Sequence, residues 1–278
     1  MTDKTDTILV TGGTGTLGSL LTPRLRDAGC VVRALSRHGP KATKGAVEGV
    51  DYVTGDLATG EGIEAAVAGA TTIVHLAGSN SGDDATTRTL VQAASRAVAR
   101  HLVYISVVGA DRVPVVSGID RAMFGYFASK RAAERVVADS GLPWTTLRAT
   151  QFYDLFLLVA EQMARLPVAP LPAGMRFQPI ETDEVAARLA ELALGRPAGL
   201  VPDIAGPKVY SARDLFNAYL HASHQRRPSV SIWLPGQAAR AIRDGANLAP
   251  DRAVGQRTWE AFLAERVGVA SASASRVA

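Results

Sequence analysis

Residues 11–18, TGGTGTLG, constrain this chain more than any other stretch. They follow the apolar run Ile8, Leu9, Val10 and precede an amphipathic segment, so they close a strand and open a helix. The glycines satisfy both G-x-x-G-x-x-G (Gly12, Gly15, Gly18) and G-x-G-x-x-G (Gly13, Gly15, Gly18). At a strand-to-helix junction such glycines permit a tight turn and let backbone N–H groups approach a pyrophosphate at the helix N-terminus. The alternative is a turn that binds nothing, although a turn alone needs only one glycine. Expected dinucleotide contacts here are Gly12, Thr14, Gly15, Thr16, Leu17 and Gly18. A Walker-type loop is excluded, because the Gly-Lys-Ser/Thr ending is missing.

From Thr7 to Arg148, short β-branched runs (ILVT, VVRALS, VDYVTG, TIVHLA, LVYISV, WTTLRA) alternate with amphipathic segments over 17–28, 63–68, 84–99 and 124–140. That alternation predicts an α/β fold: a Rossmann doubly wound parallel sheet with helices on both faces and a small C-terminal substrate lobe. Pro23 interrupts the first helix pattern. Beyond Arg148, prolines at 167, 170, 172 and 179 break the pattern, while Thr182 and Ser211 read as helix starts, the latter with Asp214 in a capping box. The expected organisation is a nucleotide-binding core over 1–150, a substrate lobe with the remaining sheet elements over 151–267, and a disordered low-complexity tail over 268–278.

With 278 residues, 47% of them hydrophobic, the chain can bury a core without cross-links, and its one cysteine, Cys30, excludes an intramolecular disulfide. The start MTDKTDTILV lacks a secretory signal and no apolar run approaches roughly 20 residues, so a cytoplasmic protein without a membrane span is expected. The net charge of +4 comes from arginines interleaved with acids, which argues against nucleic acid as a partner.

Cofactor choice is read at the end of the second strand, where an acidic residue would accept from the ribose hydroxyls of NAD. Ser36 and Arg37 stand there, with no acid. Arg37 is placed to pair with a 2′-phosphate, with His38, Lys41 and Lys44 as further donors, so NADP(H) is expected over NAD(H). A solvated loop arginine is the alternative.

TGGTGTLG, ALSR, the Gly55-Asp56-Leu57 step and HLAG (75–78) together resemble the short-chain dehydrogenase/reductase superfamily, and within it the atypical branch that includes NmrA-like proteins. YISVVGAD (104–111), Tyr126 with Lys130, and SGLPWTTLRATQF (140–152) extend the likeness to about Leu194. The resemblance implies that Asp56 and Leu57 contact adenine, that Ala77 and Gly78 lie beside the adenosine, and that Ser106 is in the segment lining the nicotinamide side. Each has a structural alternative: Asp56 capping a turn, Ser106 satisfying a strand end, His75 packed as a core histidine.

Tyr126 and Lys130 are four apart on the helix after the fifth strand and so share a face. An ammonium near a phenol lowers its pKa from about 10, letting it exchange a proton with a substrate oxygen. The resemblance implies that Lys130 also holds the nicotinamide ribose and that Tyr126 protonates the carbonyl receiving hydride; a solvated helix face is the alternative. The family's triad departs at the strand-five end, where the second position is Val107, and Ser106 would have to substitute from the opposite strand face. Gln151, Phe152 and Tyr153, after the sixth strand, are the expected substrate contacts, with ordinary core packing as the competing use. The five histidines form no metal motif, and no G-x-S-x-G elbow is present.

These features support three functions: an NADPH-dependent oxidoreductase acting on a small-molecule quinone, enone or carbonyl; an NADP(H)-binding redox sensor without turnover, suggested by Val107; and an epimerase or isomerase using the cofactor transiently. The exposed face of the helix over 124–140 offers a homodimer contact.

Overall fold

The computed structural model describes residues 6–37, 47–78 and 82–274, with side chains as far as Val267. His38, Lys41 and Lys44 lie outside the described residues. The chain divides into two compact units, and the division is discontinuous: residues 1–107, 125–148 and 182–202 form one, and 108–124, 149–181 and 203–278 the other. The chain crosses between the units at several points, Arg148/Ala149 among them.

The first unit is built on β1 (Thr7–Thr11), β2 (Val31–Ser36), β3 (Val50–Thr54), β4 (Thr72–His75), β5 (His101–Val107), β6 (Trp144–Ala149) and the two-residue β9 (Gly199–Leu200). They form a parallel sheet in the order β3-β2-β1-β4-β5-β6-β9, the doubly wound arrangement that the alternating runs predict. The central strands are buried on both faces, and parity decides which face of the sheet each side chain joins. Leu9, Leu35, Ile73, Leu102 and Tyr104 face a core with α2 (Ile63–Val67), α3 (Asp83–Arg96) and α4 (Gly118–Ala138). On the other face α1 (Thr16–Asp27) packs against α6 (Thr182–Leu194), with Arg24 and Asp183 paired at 2.6 Å. Pro23 sits inside α1 without ending it, and Arg24 donates to the Leu20 carbonyl at 2.9 Å.

α4 begins six residues earlier than its apolar pattern indicates. Ser117 explains this: its hydroxyl accepts from the Asp120 N–H at 3.0 Å, while the Asp120 carboxylate accepts from the Ser117 N–H at 3.1 Å, a reciprocal cap. The first turns of α4 belong to the second unit and the rest to the first.

The second unit has its own core, in which Tyr153, Leu215, Phe216, Tyr219, Trp259 and Phe262 are buried together. Its helices include α5 (Tyr153–Ala164), α7 (Ala212–Ala222), α8 (Gln237–Arg243) and α9 (Trp259–Ala274), with small pairings β7 (Ala169–Pro172) to β11 (Ser229–Ile232) and β8 (Arg176–Phe177) to β10 (Tyr210–Ser211). The Ser211/Asp214 capping box of α7 forms as its sequence indicates. α9 reaches into the stretch 268–278 read as a disordered tail, and 275–278 lie outside the described residues. Among the described residues no helix is long and apolar enough to cross a membrane.

One buried ion pair ties α4 to the sheet. Arg148 of β6 donates from Nε and Nη2 to the two oxygens of Glu134, each at 2.7 Å, and both side chains are 6% exposed. Burial alone would raise the Glu134 carboxyl; hydrogen bonds and charge, led by Arg148, hold it below its ordinary value. Glu134→Gln leaves a buried guanidinium without its countercharge and should lower stability by about 3–5 kcal/mol in urea unfolding, whereas Glu134→Leu with Arg148→Met should lose much less. Because the folded carboxyl is depressed, its contribution is present above the unfolded value of about 4.5 and fades as pH falls through the lower folded value; equal acid sensitivity of wild type and the double variant would contradict this.

Candidate functional site

A cleft of about 700 Å³ lies at the carboxyl ends of β1, β2 and β4 in the first unit. Its walls bring together residues far apart in sequence: Gly12, Thr14 and Gly15 from the loop after β1, Ser36 and Arg37 from the end of β2, Asp56 and Leu57 after β3, and Ala77 and Gly78 after β4. All nine belong to the expected cofactor set. Thr16, Leu17 and Gly18 form the first turn of α1 rather than the cleft lining, with Leu17 buried and Thr16 exposed.

The loop is shaped by close backbone approach. Gly12 has φ +69°, and a methyl on it would sit 2.9 Å from the Ala77 nitrogen. A methyl on Gly18 would lie 2.3 Å from the Gly12 carbonyl oxygen, so neither position admits a side chain. Gly15 differs. Its φ of −79° and ψ of 176° suit any residue, and a methyl there meets only the Gly12 carbonyl, at 3.3 Å. The position is exposed and lines the cleft, and the missing side chain leaves a cradle open for a ligand's close approach. Gly15 is also the N-cap of α1, with no side-chain cap and no acid in the first turn, so the free N–H groups and the positive end of the helix dipole suit an anion. These residues fit the phosphates of a dinucleotide.

Beneath the loop, the Ala77 N–H donates to Thr11 Oγ1 at 3.2 Å, and Thr11 Oγ1 lies 2.7 Å from His75 Nδ1. His75 Nε2 lies 3.0 Å from Thr87 Oγ1, a network satisfied by a neutral ring protonated on Nε2. Burial and the charge of Lys130 push this imidazole down to about 3, so His75 is a neutral core histidine joining β1, β4 and α3. Asp56 caps its own turn, accepting from the Ala58 N–H at 2.9 Å, while also lining the cleft. Arg37 is exposed on the cleft wall; Arg33, by contrast, is taken up by the Ala66 and Ala68 carbonyls and by Asp51.

One wall escaped the motif reading. Gly82, Ala85, Thr86 and Thr89 at the start of α3 complete the cleft, and their helical spacing of small residues on one face was the available signal.

Tyr126 and Lys130 are one turn apart on α4, as their spacing requires, but neither lines the cleft. Lys130 Nζ lies 5.7 Å from the centre of the Tyr126 ring. The expected depression of the phenol does not occur: burial first, then the charge of Asp83, push Tyr126 above its ordinary value. The reason is that Lys130 is not a free cation, being ion-paired with Asp83 at 3.2 Å. Burial pulls Lys130 down, opposed by Asp83 and more weakly by Glu134.

Ser106 is buried on β5, on the sheet face that Tyr104 shares, and Val107 is buried on the opposite face. Gln151, Phe152 and Tyr153 belong to the second unit. Tyr153 is a core residue rather than an open contact: it is fully buried, packs on Trp259 and Phe262, and donates its hydroxyl to the Arg257 carbonyl at 2.6 Å. The backbones of Gln151 and Phe152 pair with Ile180. Among the described residues no group of three or more His, Cys, Asp and Glu is arranged to hold a metal.

The chain is similar to known proteins in sequence and in fold. A reductase of Streptomyces griseus, (4-alkanoyl-5-oxo-2,5-dihydrofuran-3-yl)methyl phosphate reductase, is 32% identical over 145 residues, which are 52% of this chain and 48% of that protein, so the match spans about half of that relative's length. The NAD(P)H azoreductase of Xenophilus azovorans is 26% identical over 238 residues, 84% of this chain and 80% of that protein. The fold matches the structure of an NADPH-dependent quinone oxidoreductase of Escherichia coli complexed with NADPH, with a TM-score of 0.77 at 20% identity, covering 95% of this chain and 99% of that one. The profile of the NAD(P)H-binding family matches residues 12–192, from the first loop glycine through most of α6; the chain belongs to that family.

Proposed function

We propose that this protein is an NADPH-dependent oxidoreductase that reduces a quinone, enone or carbonyl compound, with Tyr126 as proton donor and Lys130 as ribose anchor. The observation that carries the reading is the cleft itself, whose glycine cradle at Gly15 and exposed Arg37 at the end of β2 suit a dinucleotide bearing a 2′-phosphate. Support also comes from the relatives, two of which are named as reductases and share either a third of matched residues or most of their length with this chain.

The bound cofactor supplies the hydride. The protein's part is to hold the dinucleotide by the first turn of α1, to orient its ribose through Lys130, and to give a proton from the Tyr126 hydroxyl to the oxygen of the reduced substrate. A phenol held above its ordinary value keeps that proton across the neutral range. Ser106 serves as an additional group on the same sheet face as α4.

A binding-only sensor is the second reading. It is favoured by Val107 at the position where the resembled dehydrogenases carry a hydroxyl. An epimerase would share the scaffold but consume no net NADPH.

Two variants test the proposal. Tyr126→Phe should lower kcat for NADPH oxidation with a responsive quinone, enone or carbonyl by about 10²–10⁴-fold while leaving the NADPH dissociation constant nearly unchanged. Full turnover in that variant would remove the proton-donor role, and NADPH binding with no oxidation by any acceptor would favour the sensor. In wild type the raised phenol predicts no alkaline loss of rate from Tyr126 below about pH 10. Arg37→Asp should shift the ratio of NADH to NADPH dissociation constants about tenfold or more towards NADH, as loss of a charge-assisted hydrogen bond requires; an unchanged ratio refutes the role of Arg37.

A further inference from the structure

Lys130 is among the most enclosed charges in the first unit, and what encloses it is specific. Its side chain is 5% exposed, and its ammonium lies 3.2 Å from Asp83 Oδ2, on a side chain that is 2% exposed. The same nitrogen donates to the Ile105 carbonyl at 3.3 Å. Asp83 opens α3, and its N–H donates to Ser129 Oγ at 3.0 Å. Consecutive residues of α4, Ser129 and Lys130, therefore grip the backbone and the carboxylate of one aspartate.

The pair lies directly behind the cofactor cleft. At Gly78, which lines the cleft, a methyl would sit 3.0 Å from Lys130 Nζ and 3.2 Å from Asp83 Oδ2, so both charges lie close behind the cleft wall where no side chain intervenes. The other groups facing the ammonium are the Tyr104 ring of β5 at 5.0 Å, the Tyr126 ring of α4 at 5.7 Å, Glu134 one turn further along α4, and His75 of β4, which is neutral. Of these Asp83 is the only acid paired with Lys130 by direct contact, since Glu134 is engaged by Arg148 and Arg131.

We propose that Asp83 is a positioning residue of this site: its carboxylate holds Lys130 behind Gly78 and keeps it an ammonium, ready to act on a ribose hydroxyl. This rests on the role given to Lys130 above. A lysine so withdrawn from water would otherwise shed its proton, because burial disfavours the charged form, and a neutral amine would not hold the ribose as a charged donor. The contribution of Asp83 is thus electrostatic and geometric at once, and it reaches the cleft only through Lys130.

The test is a direct titration of Lys130. The chain has five lysines, so ¹³Cε resonances are few, and the signal lost in Lys130→Arg assigns the one of interest. Asp83→Asn should lower the Lys130 midpoint by about one pH unit or more, while Asp83→Glu, which keeps the charge, should stay near wild type. An unmoved midpoint in a folded Asp83→Asn protein overturns the proposal, and so does an equal fall in both variants. If circular dichroism shows that Asp83→Asn does not fold, Asp83→Glu decides: a retained midpoint supports the countercharge role and a fallen one overturns it. The titration needs no substrate, so it fails or succeeds separately from the oxidoreductase reading, whose own failure appears as undiminished turnover in Tyr126→Phe.

Discussion

The structure depends first on how closely the backbone of the loop after β1 approaches its neighbours. Gly12 lies against the Ala77 nitrogen and Gly18 against the Gly12 carbonyl, each too near for a side chain. Those two contacts set where α1 starts relative to the sheet, and with it the direction of its unpaired N–H groups. They also bring the end of β4 beside the loop, where Ala77 is fixed by Thr11 and, through it, by His75. The cleft is therefore a consequence of backbone packing, and its walls are held by a neutral buried network that does not titrate near physiological pH.

Behind that wall the character changes from neutral to charged. Lys130 and Asp83 form one buried pair and Glu134 and Arg148 another, with α4 supplying one member of each. One turn separates Lys130 from Glu134, so this helix face carries alternating charges inward, an arrangement that survives only because each charge has a partner. Compensation also limits what the lysine can do. A cation whose field is largely cancelled by a carboxylate 3.2 Å away does not activate a phenol, and Tyr126 stays protonated. The site is suited to giving a proton rather than to storing a tyrosinate.

Much of the fold was legible because its strands are short runs of Ile, Val, Leu and Thr joined by helix-length segments, and because buried parallel strands need no polar alternation. The cleft was legible for a related reason: nucleotide sites in this topology gather at strand ends, so Gly12, Thr14, Gly15, Ser36 and Arg37 could be read from the loop motif and strand position, and residues 56–57 and 77–78 from the family resemblance. What could not be read depends on contacts distant in sequence. β9 is two residues long and is held by backbone pairing to Thr145 and Thr146, which no side-chain pattern announces. The partner of Lys130 lies on another helix, so the i, i+4 spacing of Tyr126 and Lys130 was right about the shared face and wrong about the direction of the phenol's shift. Tyr153, read as a substrate contact, is claimed by the aromatic core with Trp259 and Phe262, neighbours that only the folded chain supplies. The start of α4 was readable in principle, since Ser117 and Asp120 stand at capping-box spacing.

The central claim is that the loop at Gly15 holds the phosphates of a nicotinamide dinucleotide, and Gly15→Asp tests it most directly. Aspartate suits the backbone and the N-cap position, so the fold should persist, while its carboxylate would occupy the anion's place. Titration with NADPH, followed by cofactor fluorescence, should give saturable binding in wild type and affinity lower by about tenfold or more in the variant, at an unchanged Tm without cofactor. Equal affinity in the two proteins would contradict the account.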